Sequence, residues 1–156
     1  MGNYHNFEHD FVERTIKLIE QYESSLSEYS FEEQYNYTLI INCFLGLIIL
    51  PKERRISYIP TTQLTTAFKQ EIGLKESRIH DTIQTLRDLI KKLRHSIAHF
   101  DIEVISDNEK YLIDRIIFKD TDNDNIIAEL KSNEIVPFLK YYSSCLLENL
   151  RRHGDR

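Results

Sequence analysis

Glycine and proline are scarce in this sequence, at 4 and 3 of 156 residues. That scarcity excludes a loop-rich or low-complexity chain and points to long regular elements. Cysteine is nearly absent as well. Cys43 and Cys145 have neither the number for a disulfide framework nor the spacing of a metal cluster. They read as inert thiols of a reducing cytoplasm. No apolar run approaches the ~20 residues that a membrane-spanning helix needs. The longest, over 38–50, is interrupted by Asn42 and Gly46 and reads as a buried core helix. The first ten residues lack the basic-then-apolar order of a signal peptide. The expectation is therefore a cytoplasmic chain with no membrane partner.

What is present suits a single folded domain over 1–156: 41% hydrophobic residues, enough for a core, and 29% charged ones. The formal net charge of -5 disfavours a broad nucleic-acid-coating surface, whose affinity comes from many phosphate contacts. A local basic pocket for one or two phosphates remains compatible with it.

Helical periodicity dominates. Asp10 and Glu13 have capping-box spacing and predict a helix over 10–25, with Phe11, Val12, Leu18, Ile19 and Tyr22 on one face. Ser30 and Glu33 repeat the signal for a second helix over 31–50, which turns apolar after Thr38 and stops at Pro51. A basic connection (Lys52, Arg54, Arg55) leads to a short helix over 62–71, with Gly73 as its stop. The clearest prediction is a helix over 77–98, where Ile79, Ile83, Leu86, Ile90, Leu93 and Ile97 form one stripe. The period then falls to two. Ile102 and Val104 alternate with acidic residues, and 111–118 and 125–130 are further β-type runs. A final helix from Ser132 or Asn133 to Leu150 accepts Pro137 only near its first turn. The fold class predicted is mainly α, a helical bundle with a small antiparallel β meander inserted at about 101–130.

The end of the striped helix carries the chemistry. At ~100° per residue, His95 and His99 project together, nearly opposite the stripe, with Lys91 and Lys92 on the same polar side. Arg94 and Arg87 share a flank. The C-terminal end of a helix favours cations. Histidine titrates near neutral pH, and arginine grips phosphate with a fork of N–H donors. These are the parts required to cleave RNA without a metal: a base for the ribose 2′-hydroxyl, an acid for the leaving oxygen, and a cation for the phosphorane. Arg94 and His99, however, lie ~140° apart on a regular helix. Either the helix loosens before Phe100, or two copies complete the site across a two-fold axis.

Arg94-His95-x-x-x-His99 at the end of a long helix resembles the HEPN signature: Arg, a polar residue, a few more, then His. Residues 11–53, above all 40–53, and 93–104 are similar to a bacterial and plasmid-borne HEPN branch with a short β segment after the signature. The resemblance implies a HEPN-like bundle, a homodimer, and metal-independent ribonuclease activity in toxin–antitoxin or phage-defence systems. It makes RNA the substrate, with an antitoxin or other regulatory protein as a further partner and no cofactor. It also implies His99 as the acid/base residue, Arg94 as the phosphate binder and His95 as the assisting polar residue. Arg87, Lys91 and Lys92 are the accompanying candidates for substrate binding. Some HEPN proteins bind RNA, nucleotides or proteins without cutting, so a non-catalytic module stands as the alternative. A third reading makes the histidines a plain dimer contact.

Other patterns point to structure. His95 and His99 have the spacing for one metal on a helix face, but only Asp88 is placed as a third ligand. Asp120, Asp122 and Asp124 alternate like a calcium loop, yet Asn125 stands where glycine is needed and Lys131 where a bidentate glutamate is needed. A solvated turn is expected there. Tyr35, Tyr37, Tyr141 and Tyr142 read as the rim of a core or an interface, and Arg151 and Arg152 as a solvated tail.

Overall fold

The computed structural model describes residues 4–51, 53–109, 112–123 and 125–153. Lys52 of the basic connection, Tyr111 of the second β run and Asp124 of the alternating aspartates lie outside them.

Helix α1 spans Phe7–Ser25 and begins earlier than the capping box suggested. Asn6 is the N-cap, its side chain accepting from the His9 N–H at 3.3 Å. Asp10 works from inside the first turn, accepting from the backbone N–H groups of His5 (2.7 Å) and Asn6 (3.1 Å). Those two bonds hold its carboxyl below the usual carboxylate range. Val12, Thr15 and Ile19 are buried, whereas Leu18, expected on that face, is exposed. The Ser30–Glu33 box exists, but it closes only a turn of 3-10 helix, Phe31–Glu33. Gln34 donates to the carbonyls of Leu26 and Tyr29, and the Tyr22 hydroxyl takes the Tyr35 N–H. The chain is thus held in tight turns, and helix α2 starts afresh at Asn36–Ile49.

Helix α2 packs against α1 and against two later helices, α5 (Leu86–Ala98) and α6 (Ser132–His153). Its Cys43, Phe44, Leu47 and Ile48 are buried, as its apolar run predicted. Burial pushes the thiols of Cys43 and Cys145 up, so both stay protonated and poorly nucleophilic at neutral pH. The connection over 51–60 contains a short helix α3, Glu53–Ile56. Its Arg55 is buried: Nε and Nη2 donate to Glu8 Oε2 at 3.1 and 3.0 Å, and Nη1 donates to the His153 carbonyl at 2.7 Å. Helix α4, Thr66–Glu71, is capped by the Thr65 hydroxyl and ended by Gly73 at φ +86°. A Cβ on Gly73 would lie 2.6 Å from Pro137 Cβ, so glycine satisfies both the left-handed turn and the close approach of α6.

The predicted helix over 77–98 is shorter in the structure. Arg78–Ile79 form strand β1, a turn follows, and α5 begins at Leu86 behind the N-cap Thr85. Within α5 the stripe holds: Leu86, Leu89, Ile90 and Leu93 are buried, and Ile97 packs against the core. Strands β2 (Ile102–Ile105), β3 (Arg115–Lys119) and β4 (Ile126–Lys131) form the expected meander. Strand β1 adds to it in the antiparallel order β1-β4-β3-β2. Ile116 stands opposite Leu130, and Phe118 opposite Ala128. All four are buried, as the two-residue period requires of one sheet face. Phe44 joins the layers, with ring centroids 5.7 Å from Phe118 and 6.5 Å from Phe138 on α6. Pro137 sits inside α6, beyond its first turn. No described helix is long and apolar enough to cross a membrane.

The early end of the predicted stripe has a tertiary cause. Buried Glu134, at the start of α6, accepts from the backbone N–H groups of Lys75 (2.8 Å), Glu76 (2.9 Å) and Ser77 (3.0 Å). The Ser77 hydroxyl donates to it at 2.6 Å and accepts from the Lys131 N–H at 3.0 Å. These N–H groups are turned towards α6 and sit outside any helix. Burial acts to raise the Glu134 carboxyl, but the Ser77 hydroxyl and the three N–H donors together outweigh it and hold the group below its usual value. A depressed folded value stabilises the protein above the unfolded glutamate range and loses that contribution as pH falls through the folded value. Urea unfolding of Glu134→Gln at neutral pH should therefore show a loss of about 2–3 kcal/mol. The gap to wild type should close at pH values below the ordinary glutamate range.

Candidate functional site

Helix α5 ends in a turn that requires a left-handed residue. The Phe100 N–H bonds to the Ile97 carbonyl (3.1 Å) and the Asp101 N–H to the Ser96 carbonyl (2.9 Å), the paired pattern of a Schellman cap. The left-handed position, usually glycine, is Phe100 at φ +62°. A side chain there costs roughly 1–2 kcal/mol. Fully buried Ser96 locks the turn, its hydroxyl donating to the Asp101 carbonyl at 2.7 Å. That carbonyl also accepts the Lys119 N–H of β3 at 2.9 Å, and the Asp101 carboxylate accepts from the Thr121 hydroxyl at 2.6 Å. The chain leaves the helix on a fixed course into β2.

This cap displays the histidines. His99 is the C-cap residue, its N–H bonded to the His95 carbonyl at 3.1 Å. Both side chains are exposed, and their ring centroids are 4.5 Å apart. The helical geometry that placed them together is thus realised, and the helix stops at Ala98 without unwinding earlier.

The arginines turn elsewhere. Arg94 Nη1 donates to the carbonyls of Ile48 (3.0 Å) and Pro51 (2.8 Å), at the C-terminal end of α2. The Ile48 carbonyl lies in the last turn of α2 and Pro51 just past its end, so a guanidinium satisfies both hydrogen bonding and the helix dipole there. Arg87, on the same flank, donates from Nε to the Ile59 carbonyl at 2.7 Å. These contacts hold both arginines on their own flank of α5. Lys91 is exposed on the polar side. Lys92 is bound by Asp120, Nζ to Oδ2, at 2.6 Å.

Asp120 is a participant that the sequence pattern missed. Asp120 and Asp122 do belong to a turn, with Asp120 Oδ1 accepting the Asp122 N–H and the Asp120 N–H bonding to the Asn125 carbonyl. The other carboxylate oxygen reaches α5. Lys92 chiefly, with the Asp122 N–H, holds the Asp120 carboxyl below its usual range against the effect of burial, and His95 adds a weaker electrostatic pull. Lys92 and Asp120 also line a shallow depression with His80, Thr82 and Asn123. Among the described residues, three ligand atoms able to hold one metal ion converge at His9, Asp10 and Glu13 on α1, away from His95, His99 and Asp88. Asp88 instead pairs with the Thr85 cap, accepting from its hydroxyl at 2.6 Å. Of the tyrosines, Tyr142 is fully buried, Tyr141 meets Phe68 edge to face, Tyr37 is half-buried and Tyr35 is exposed. Arg151 and Arg152 are exposed, each paired with Glu148.

The structure is a helical bundle in which α5 presents two exposed histidines at its end and leads directly into a β segment. The chain belongs to the HEPN family: the family model described as HEPN pEK499 p136 matches residues 1–153. No curated protein and no solved structure gives a significant match.

The two signature ends should behave differently on unfolding in urea. Arg94→Ala strips a charged donor from two carbonyls and should cost about 2–3 kcal/mol. His99→Ala, at an exposed position, should stay within about 0.5 kcal/mol of wild type.

Proposed function

We propose that this chain is a HEPN endoribonuclease that acts as a homodimer and needs no metal, with His99, His95 and Arg94 at a composite site. The observation that carries the reading is the exposed His95–His99 pair, with ring centroids 4.5 Å apart, at the end of α5 in a chain of this family. One imidazole, in its neutral form, takes the proton from a ribose 2′-hydroxyl as that oxygen attacks the adjacent phosphorus. A second imidazole, protonated, donates to the departing 5′-oxygen, leaving a 2′,3′-cyclic phosphate. His99 is the acid/base residue and His95 its assistant. Arg94 stabilises the charged phosphorane. Because Arg94 lies on another flank of α5, the guanidinium acting on a given phosphate is assigned to the second copy. Lys91, Lys92 and Arg87 supply charge along the RNA strand. The setting is a toxin–antitoxin or phage-defence system of the cytoplasm, with an antitoxin or other regulatory protein restraining the enzyme.

Engagement of Arg94 with the α2 carbonyls favours one alternative, a non-catalytic HEPN module that binds RNA, a nucleotide or a protein and uses this arginine for folding. Incubation of the purified protein with single-stranded RNA in EDTA separates the two readings. The ribonuclease yields cyclic-phosphate ends, and His99→Ala lowers the rate by about 10²–10⁴-fold. Equal cleavage by wild type and His99→Ala sinks the assignment. Activity confined to a monomeric species in sedimentation removes the composite site.

A further inference from the structure

Phe100 is the most exposed large hydrophobic residue described, at 81% of its maximal accessibility. Its backbone stands at φ +62°, where glycine fits without strain. Neither burial nor local conformation therefore accounts for an aromatic residue at this position. The ring follows His99 directly, and its backbone is held by the Ser96–Asp101 and Lys119–Asp101 bonds, so it projects from a fixed point. On either side in the chain stand the exposed His99 and the half-buried Asp101, the latter accepting from the Thr121 hydroxyl. A single exposed ring next to an exposed imidazole suits the flat face of an unpaired base.

We propose that Phe100 is the base-stacking residue of the His95/His99 site, receiving an unpaired nucleobase of single-stranded RNA beside the phosphate that the histidines face. This rests on the ribonuclease reading for the identity of the ligand. It adds a preference for base-bearing, single-stranded substrate that an acid–base pair alone does not supply. It also explains the retained strain: the left-handed backbone aims the ring, and glycine would relieve the strain at the expense of the contact.

The chain has no tryptophan, so Phe100→Trp introduces a single fluorescent reporter at the site. In a His99→Ala background, which slows turnover, the emission of Phe100→Trp should be quenched by a short single-stranded oligoadenylate. An abasic ribose-phosphate oligomer of equal length should not quench it. In the same background, Phe100→Ala should bind the oligoadenylate about 5- to 150-fold more weakly. Phe100→Gly should lose the same affinity while its thermal midpoint rises by about 2–4 °C, which a merely structural ring would not produce. Equal quenching by the abasic oligomer, or unchanged affinity in Phe100→Ala, overturns the proposal. So does a shift from dimer to monomer in Phe100→Ala at the same concentration, which would assign the ring to a contact between copies. The two readings fail separately. If wild type cuts RNA but stacking is absent, only the role of Phe100 falls. If wild type leaves RNA uncut yet quenching depends on bases, the cleavage reading falls and stacking stands.

Discussion

The bond between the Ser96 hydroxyl and the Asp101 carbonyl decides the geometry of the signature. A fully buried polar side chain such as that of Ser96 is costly without a partner. Here its partner is the first residue beyond the left-handed turn, which is also tied to β3 through Lys119. Helix end, strand entry and sheet are thereby joined at one carbonyl oxygen. The outward projection of His95, His99 and Phe100 follows from that joint, because the helix has no freedom to fray at its last turn.

Two arginines solve the same problem at two helix ends. Arg94 supplies donors to the C-terminal carbonyls of α2, and Arg55 does so for α6 while pairing with Glu8 of α1. Each helix end is closed by a distant residue where glycine or solvent would normally serve. Arg94 thus has a structural duty alongside any chemical one, and the unfolding midpoint of an Arg94 variant has to be read beside its activity.

The fold was largely legible because its signals are periodic. The apolar run of α2, the Leu86–Ile97 portion of the stripe and the alternation in β3 and β4 bury the face that their spacing implies, whereas in β2 Val104 is exposed and only Ile102 packs against the core. The errors arose where a contact between distant residues overrode a local pattern. The stripe extends back to Ile79, but Glu134 draws the N–H groups of residues 75–77 out of any helix, and Ile79 pairs with Ala128 instead. Thr85 and Asp88 were the local sign of the true start, a hydroxyl cap and a carboxylate three residues on. At the site, the 3.6-residue period sufficed to join His95 with His99 and to separate Arg94. It could not reveal that Asp120 reaches Lys92 across 28 positions, since no local period encodes that distance. Phe100 had a local signal, an aromatic residue where a helix end favours glycine.

The Lys92–Asp120 pair has a consequence for how any polyanion approaches the histidines. Lys92 beside them is already paired with a carboxylate, on a chain with a formal charge of -5. A phosphate that engages Lys92 must displace a carboxylate as well as loosely held counterions. The site is therefore guarded by competition between two anions for one ammonium. At long range a chain of this charge repels any polyanion, so added salt, by screening that repulsion, would speed first encounter even as it weakened close contacts.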